Sequence, residues 1–160
     1  MQIIDFLKKE CVRIDVPGCD KKDVIRELAK LLLKFHPEID AEEAIEGLYQ
    51  REGVLSTGIG RGVAIPHARL DSCREICIAL GLLREGTNFE SLDKKPVKLV
   101  FLILFPKDDV GLQLKTLAKL SRILLKGGLA QRLLRAQTTE EVIDEFEAYE
   151  KSIDSQGTTK

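Results

Sequence analysis

The chain has 160 residues, of which 44% are hydrophobic and 32% charged, a balance typical of globular rather than disordered proteins. Its 25 Lys and Arg residues nearly balance its 26 Asp and Glu residues, so the net charge of −1 gives no overall attraction to nucleic acid or anionic membranes. The longest apolar run, residues 99–105, is far shorter than a membrane-spanning helix, and the first residues do not resemble a signal peptide. These features predict a cytoplasmic protein without nucleic-acid binding or membrane insertion.

The cysteine pattern does not indicate a metal or disulfide framework. Cys11, Cys19, Cys73 and Cys77 do not follow the spacing of known zinc sites, which use two close pairs or one pair with histidines. Cys77 lies in an apolar run, where a free thiol packs as a small hydrophobic group. The sequence therefore predicts no functional role for cysteine.

Two helices are predicted in the first half of the chain. Asp20 is a good N-cap for the first helix, and the pair His36–Pro37 ends it, because the residue before a proline is disfavoured in helical conformation. Asp40 begins the second helix, with Glu43 three residues later in a capping-box pattern. We expect His36 to be an exposed loop residue between the two helices.

Buried strands follow the two helices. A small-residue loop at 56–62 precedes a short apolar strand at 63–65, and residues 75–83 and 97–105 are apolar at nearly every position. A long helix over about 110–125, a short helical segment at 129–136 and a last helix capped by Thr138 complete the pattern. The sequence thus predicts an α/β fold, a three-layer α/β/α sandwich with a mixed central sheet. We expect one domain over residues 1–151 and a flexible C-terminal tail over 152–160.

His67 is the histidine with the more informative surroundings. It follows Pro66 directly after the short strand, and glycines 58, 60 and 62 precede it in a loop whose amides could form an anion-binding nest. From these residues alone, a structural histidine at a strand end is the favoured interpretation. A serine hydrolase lacks its nucleophile motif here, and a metal-dependent hydrolase lacks ligands. Nucleophilic use of the imidazole requires fewer groups than either of these sites. One ring N–H needs an acceptor, and the phosphoryl oxygens need donors, for which Arg51, Ser56 and Thr57 are candidates.

The segment around His67 resembles a known family signature. Residues 51–67 read REGVLSTGIGRGVAIPH, which is similar to the enzyme IIA domains of the fructose/mannitol type in the bacterial phosphoenolpyruvate-dependent phosphotransferase system. The similarity extends through residues 96–106, 114–121 and 133–138. The resemblance is nearest to the freestanding nitrogen-regulatory form of these domains.

The resemblance implies a phosphocarrier that needs no cofactor and no metal. His67 would accept a phosphoryl group at Nε2 from phosphorylated HPr or a nitrogen-type HPr-like carrier, and would pass it to a IIB domain or act on a regulatory target such as a transporter or sensor kinase. Arg51 stands at the family's phosphoryl-contacting position, and Ile59 is expected to contact the carrier. The residues expected to support the phosphoryl group are Arg51, Ser56, Thr57, Gly58, Gly60 and Gln113.

Two positions depart from the family pattern. Gln113 occupies the place of a second histidine, and its amide can donate a hydrogen bond but cannot become cationic. Ala68 stands where glycine is common. A regulatory phosphocarrier is the leading hypothesis. The alternatives are a separately encoded IIA subunit of a fructose-like permease and a regulatory binding module that does not transfer phosphate.

Overall fold

The computed structural model describes residues 1–17 and 20–157; Gly18, Cys19 and residues 158–160 lie outside the described part. A short 3-10 helix, Ile3–Phe6, comes first. The strands are β1 (Leu7–Arg13), β2 (Gly58–Gly60), β3 (Val63–Ala64), β4 (His67–Leu70), β5 (Cys77–Thr87) and β6 (Val97–Pro106). The helices are α1 (Lys21–Lys34), α2 (Ala41–Val54), α3 (Val110–Leu125), α4 (Leu129–Arg135) and α5 (Thr139–Gly157).

The six strands form one mixed sheet. Its order is β1-β5-β6-β3-β2. Strand β4 also pairs with β6: β3 lies beside residues 99–100 of β6, and β4 lies beside residues 103–106. Strands β3 and β4 both run parallel to β6, whereas β5 runs antiparallel to it. Strand β6 therefore pairs with both short strands, which precede and follow Pro66 in the chain. The predicted mixed sheet is confirmed.

Helices cover both faces of the sheet, and alternate residues of β6 therefore pack in two different cores. Leu99, Phe101 and Ile103 pack in one cluster with residues of α3, α4 and α5. Val100 and Leu102 pack in a second cluster with residues of α1 and α2. Alternation of side chains along a strand explains this division. The predicted three-layer α/β/α arrangement is confirmed.

The helix starts follow local capping chemistry. Asp20 accepts a hydrogen bond from the Asp23 amide (2.9 Å), and Asp40 accepts one from the Glu43 amide (3.0 Å). Each side chain thereby satisfies an amide that has no partner within its own helix. Both predicted N-caps are confirmed.

Several features differ from the expectations. Strand β1 was not predicted, because its sequence is mostly charged and lacks regular alternation. Helix α5 continues to Gly157, six residues past the expected boundary at 151, while residues 158–160 of the expected tail lie outside the described part. The expectation that His36 is exposed is wrong: it is 6% exposed, and its Nδ1 lies 3.5 Å from Cys77 Sγ.

The amino-terminal segment is fixed by a buried carboxylate of α5. Glu150 is completely buried and accepts hydrogen bonds from the amides of Ile3 (2.8 Å) and Ile4 (2.7 Å). Lys119 of α3 places its Nζ 2.9 Å from the same carboxylate. Three parts of the chain that are distant in sequence are thus joined at one residue. Among the described residues, no helix has the length and apolarity to cross a membrane.

Candidate functional site

His67 is the first residue of β4 and lies beside the middle of β6. It is in register with Ile103, whose amide donates a hydrogen bond to the Pro66 carbonyl (2.9 Å). Its ring meets the Phe105 ring edge-on, with 6.3 Å between centroids. The residue is 7% exposed. The sheet therefore fixes the backbone of His67 directly rather than through a mobile loop.

The His67 ring has a defined protonation pattern. Its Nδ1 lies 2.8 Å from the Ile65 carbonyl oxygen, which can only accept, so Nδ1 carries the proton and Nε2 keeps its lone pair. Burial lowers the pKa of His67 below its usual 6.5, and the positive charge of Arg51 lowers it further. The Ile65 hydrogen bond and the Glu52 charge act in the opposite direction. The net effect is a lowered pKa that favours the neutral imidazole, and the Nε2 lone pair of a neutral imidazole can act as a nucleophile.

An open depression of about 480 Å³ lies over His67. Its walls come from the last two turns of α2, from β4, and from the segment that leads from β6 into the first turn of α3. Cationic side chains outnumber acidic ones on the walls, so the depression suits an anionic group. The residues that line it are Gly47, Gln50, Arg51, Val54, His67, Ala68, Arg69, Lys107, Asp108 and Gln113.

Arg51 lies on the wall of this depression at the carboxyl end of α2. Its Nη1 donates to the Leu55 carbonyl (2.7 Å), which holds the guanidinium near the helix end. A guanidinium has five N–H donors, so this bond leaves others for phosphoryl oxygens. Gln113 also lines the depression, and its Oε1 is buried without a hydrogen-bond partner among the described residues.

The loop residues expected to support the phosphoryl group point elsewhere. The Thr57 amide and hydroxyl both donate to the Glu52 carboxylate, and the Ser56 hydroxyl donates to the Phe89 carbonyl. The Gly58 amide is taken by Ser56 Oγ (3.1 Å), and Gly60 precedes the turn into β3. None of these four residues lines the depression, so the structure does not bring them together with His67 there.

Two cationic residues of the depression were not predicted. Arg69 follows His67 by two positions on β4, and Lys107 comes directly after β6. Residues two apart on a strand share a face, and parallel strands end at the same edge of a sheet. Those two rules would have placed both side chains near His67, but only if β4 had been recognised as a strand parallel to β6.

The expected contact residue Ile59 does not line the depression. It is half-buried and packs against the core cluster that includes residues of α3, α4 and α5. Exposed apolar side chains include Val54 (81% exposed), which lines the depression, and Val110 (48%) and Leu114 (63%), which are near the lining residues Asp108 and Gln113 in sequence. Among the described residues, no group of three or more His, Cys, Asp or Glu side chains is arranged to hold a metal ion.

The chain is similar to known proteins over most of its length. Residues 5–149 match the family model described as "Phosphoenolpyruvate-dependent sugar phosphotransferase system, EIIA 2". A nitrogen regulatory protein of Pseudomonas aeruginosa is 37% identical over 127 residues, which cover 79% of this chain and 82% of that protein. The fructose-specific EIIABC component of Bacillus subtilis is 33% identical over 151 residues, but the match spans 94% of this chain and only 24% of that longer protein.

A solved structure shows the same fold. The nitrogen regulatory protein IIA-Ntr of Neisseria meningitidis superposes with a TM-score of 0.83 at 30% sequence identity, covering 90% of this chain and 98% of that one. The similarity includes the helices on both faces of the sheet, because nearly all of both chains is covered.

Proposed function

Because this chain belongs to the EIIA type-2 family of the phosphoenolpyruvate-dependent phosphotransferase system, we propose that it carries a phosphoryl group on His67. The observation that supports this most directly is the 2.8 Å contact between His67 Nδ1 and the Ile65 carbonyl. It keeps the proton on Nδ1 and leaves Nε2 with a lone pair at a depression lined by three cationic side chains, Arg51, Arg69 and Lys107. Nucleophilic use of an imidazole requires this combination.

The transfer step uses only groups that the site and a phosphohistidine donor supply. His67 Nε2 attacks the phosphorus of the donor's phosphohistidine, a new N–P bond forms, and the donor's own N–P bond breaks with its electron pair returning to the donor ring. Arg51, Arg69 and Lys107 stabilise negative charge on the transferring oxygens. The Ile65 carbonyl stabilises the Nδ1 proton as the ring becomes more positive. Return of the group to an acceptor protein reverses these events.

The surface around His67 suits a protein partner. A phosphoryl group moves between two proteins only when both reacting rings approach closely, which a wide, shallow site permits. Val54, Val110 and Leu114 expose apolar surface beside the site, and such surface favours protein–protein contact. The proposed donor is HPr or a nitrogen-type HPr-like carrier, and the proposed location is therefore the cytoplasm.

We propose a regulatory role over a transport role. The matches to nitrogen regulatory proteins of Pseudomonas aeruginosa and Neisseria meningitidis cover most of both chains, and these support the regulatory form. A regulatory carrier would bind a transporter or sensor kinase according to its phosphorylation state. The Bacillus subtilis fructose component supports the alternative, a IIA unit that passes the group to a IIB domain.

A phosphorylation assay tests the proposal. We expect that phosphoenolpyruvate, enzyme I and an HPr-type donor give the protein an acid-labile, alkali-stable phosphoryl label, and that His67→Ala abolishes it. His36→Gln is the matched control, since His36 is the chain's other histidine and lies with Cys77 outside the depression. A label that survives His67→Ala, or no label on the unmodified protein, contradicts the proposal.

A binding assay separates the carrier from a module that does not transfer phosphate. If partner binding responds to phosphorylation, capture of a candidate transporter or kinase should differ between the unmodified protein and its phosphorylated form. It should also change when His67→Asp introduces a negative charge at the site. Capture that is indifferent to both changes favours the binding module.

A further inference from the structure

A chain of hydrogen bonds connects a buried carboxylate of α2 to the His67 ring. The Glu52 carboxylate accepts from the Thr57 amide (2.9 Å) and from the Thr57 hydroxyl. The Thr57 carbonyl accepts from the Ile65 amide (3.0 Å), and the Ile65 carbonyl accepts from His67 Nδ1 (2.8 Å). We propose that Glu52 is a positioning residue that, through Thr57 and Ile65, holds the His67 ring with its proton on Nδ1.

The carboxylate of Glu52 is suited to this role because both of its oxygens are used. Oε2 accepts the Thr57 amide and Oε1 accepts the Thr57 hydroxyl, while the residue is only 6% exposed. Lys21 places its Nζ 3.5 Å from Oε2 and also pairs with Glu90 at 3.0 Å. Burial of a carboxylate is costly unless it is paired and hydrogen-bonded, and these contacts supply both kinds of partner.

The Ile65–Pro66 segment transmits the constraint because it is held from both sides. The Ile65 amide is bound by Thr57, and the Pro66 carbonyl accepts from the Ile103 amide of β6 (2.9 Å). The ring of Pro66 also fixes its own φ angle. The Ile65 carbonyl therefore has little freedom to turn away from His67, as long as Thr57 stays in place.

Glu52 acts away from the depression, whereas its neighbour Arg51 acts inside it. Consecutive residues of an α-helix project about 100° apart. At the end of α2, Arg51 therefore faces the depression, and Glu52 binds Thr57 in the loop that follows the helix. Arg51 lines the depression and Glu52 does not. Glu52 touches neither the reacting atoms nor the proposed partner surface, and its effect on transfer rests on the proposed function of His67.

The tautomer of His67 can be measured without any phosphotransfer. Long-range proton–nitrogen correlation spectra of nitrogen-15-labelled protein distinguish Nδ1–H from Nε2–H imidazole, and His36 provides the only other histidine signal. We expect the unmodified protein to show Nδ1–H at His67. Glu52→Gln should give a mixture of both tautomers, because an amide has one acceptor oxygen for two Thr57 donors. The exposed Glu46 lies on the same helix, and Glu46→Gln should leave the spectrum unchanged.

A second variant tests the proposal if Glu52→Gln does not fold. Thr57→Val removes the hydroxyl donor but keeps the amide bond to Glu52, and we expect it to shift the tautomer ratio in the same direction by a smaller amount. If Glu52→Gln folds and still shows only Nδ1–H, the proposal is wrong. It is also wrong if Glu52→Gln does not fold and Thr57→Val leaves the ratio unchanged.

The kinetic consequence is distinct from the spectroscopic one. If His67 carries phosphate, Glu52→Gln should lower the maximal transfer rate from an HPr-type donor about tenfold, because a misplaced nucleophile loses near-attack geometry. The KM for the donor should stay within about twofold, since the docking surface is untouched. An unmodified protein that takes no label while showing the expected tautomers contradicts the proposed function and leaves the positioning role of Glu52 supported.

Discussion

The His67 imidazole is subject to opposing influences that together keep it neutral. Burial and the nearby Arg51 charge disfavour the imidazolium, while the Ile65 carbonyl and the Glu52 carboxylate favour it. His67 is 7% exposed, and the effect of burial is the largest of the four. A neutral ring is what a nucleophile requires, and it also makes folding stability depend on pH.

The lowered pKa of His67 predicts a loss of stability in mild acid. Well above pH 6.5 the ring is neutral in both the folded and unfolded states and makes no pH-dependent contribution. As the pH falls below 6.5, the unfolded chain binds a proton that the folded chain resists, so the free energy of unfolding decreases. The decrease stops below the folded-state pKa.

Urea denaturation between pH 8 and pH 5 measures this contribution when the protein is compared with His67→Gln. We expect the difference in unfolding free energy between the two proteins to be constant above about pH 7 and to shift against the unmodified protein below pH 6.5. A difference that stays constant over the whole range would show that His67 has the same pKa folded and unfolded.

At the level of residues, the sequence predicted some of the side chains that line the depression and missed others. His67 and Arg51 were singled out by the family signature, and both line the depression. The directions of Ser56 and Thr57 could not be predicted, because they depend on acceptors that the fold brings to them, the Phe89 carbonyl and the Glu52 carboxylate. A hydroxyl in a loop binds the acceptor nearest in space, which local sequence does not reveal.

Among the elements, α2 and β4 form the contact that sets the shape of the site. Gly47 of α2 lies against β4: a Cβ atom there would be 3.2 Å from Cβ of Ala68 and 3.3 Å from Cδ2 of Leu70. The absence of a side chain lets the helix approach the strand closely. Ala68, the departure from the family's usual glycine, thus packs against a glycine on the facing helix.

This close approach predicts that a large side chain at position 47 is destabilising. Gly47→Leu should lower the free energy of unfolding by about 1–3 kcal/mol, because the added atoms have no space between α2 and β4. Gly53→Leu on the same helix is the matched control, since a Cβ there has nothing within 4 Å. It should cause no loss and should gain up to about 1 kcal/mol from higher helix propensity. Chemical denaturation of both variants measures the contrast, and equal effects would contradict the packing argument.

Elements with local signals were predicted more successfully than elements defined by pairing. Helices α1 and α2 were found because Asp20 and Asp40 mark their starts in the sequence itself. Strands β1 and β4 were missed because each is identified mainly by its partner, β5 in one case and β6 in the other. Strand β4 has four residues, too few for a periodic pattern to be visible.

At the scale of the whole molecule, Glu150 of α5 connects α3 and the amino-terminal 3-10 helix through its carboxylate. The completely buried carboxylate pairs with Lys119 Nζ at 2.9 Å and accepts from two backbone amides. Nothing in the sequence near either end predicted this contact, because its partners are 146 and 147 residues apart.

Removal of this carboxylate should destabilise the protein strongly. Glu150→Ala leaves a mostly buried lysine and two amides without their acceptor, and we expect it to lower the free energy of unfolding by about 3–5 kcal/mol. Glu147→Ala is the control: Glu147 lies one turn earlier on α5 in an exposed pair with Lys151, and its loss should cost less than about 1 kcal/mol. Thermal or urea unfolding measures both, and similar values for the two variants would contradict the anchoring role.

Helix α2 holds both flanks of the strand that bears His67. At one end Glu52 binds Thr57, ahead of β4, and at the other end Glu43 accepts from the amides of Asp71 (2.9 Å) and Ser72 (3.2 Å), just after it. Opening of this one helix would therefore release the chain on both sides of β4 in a single cooperative event. With His67 in its proposed role, the equilibrium between closed and open α2 would set the fraction of molecules that are competent to accept a phosphoryl group.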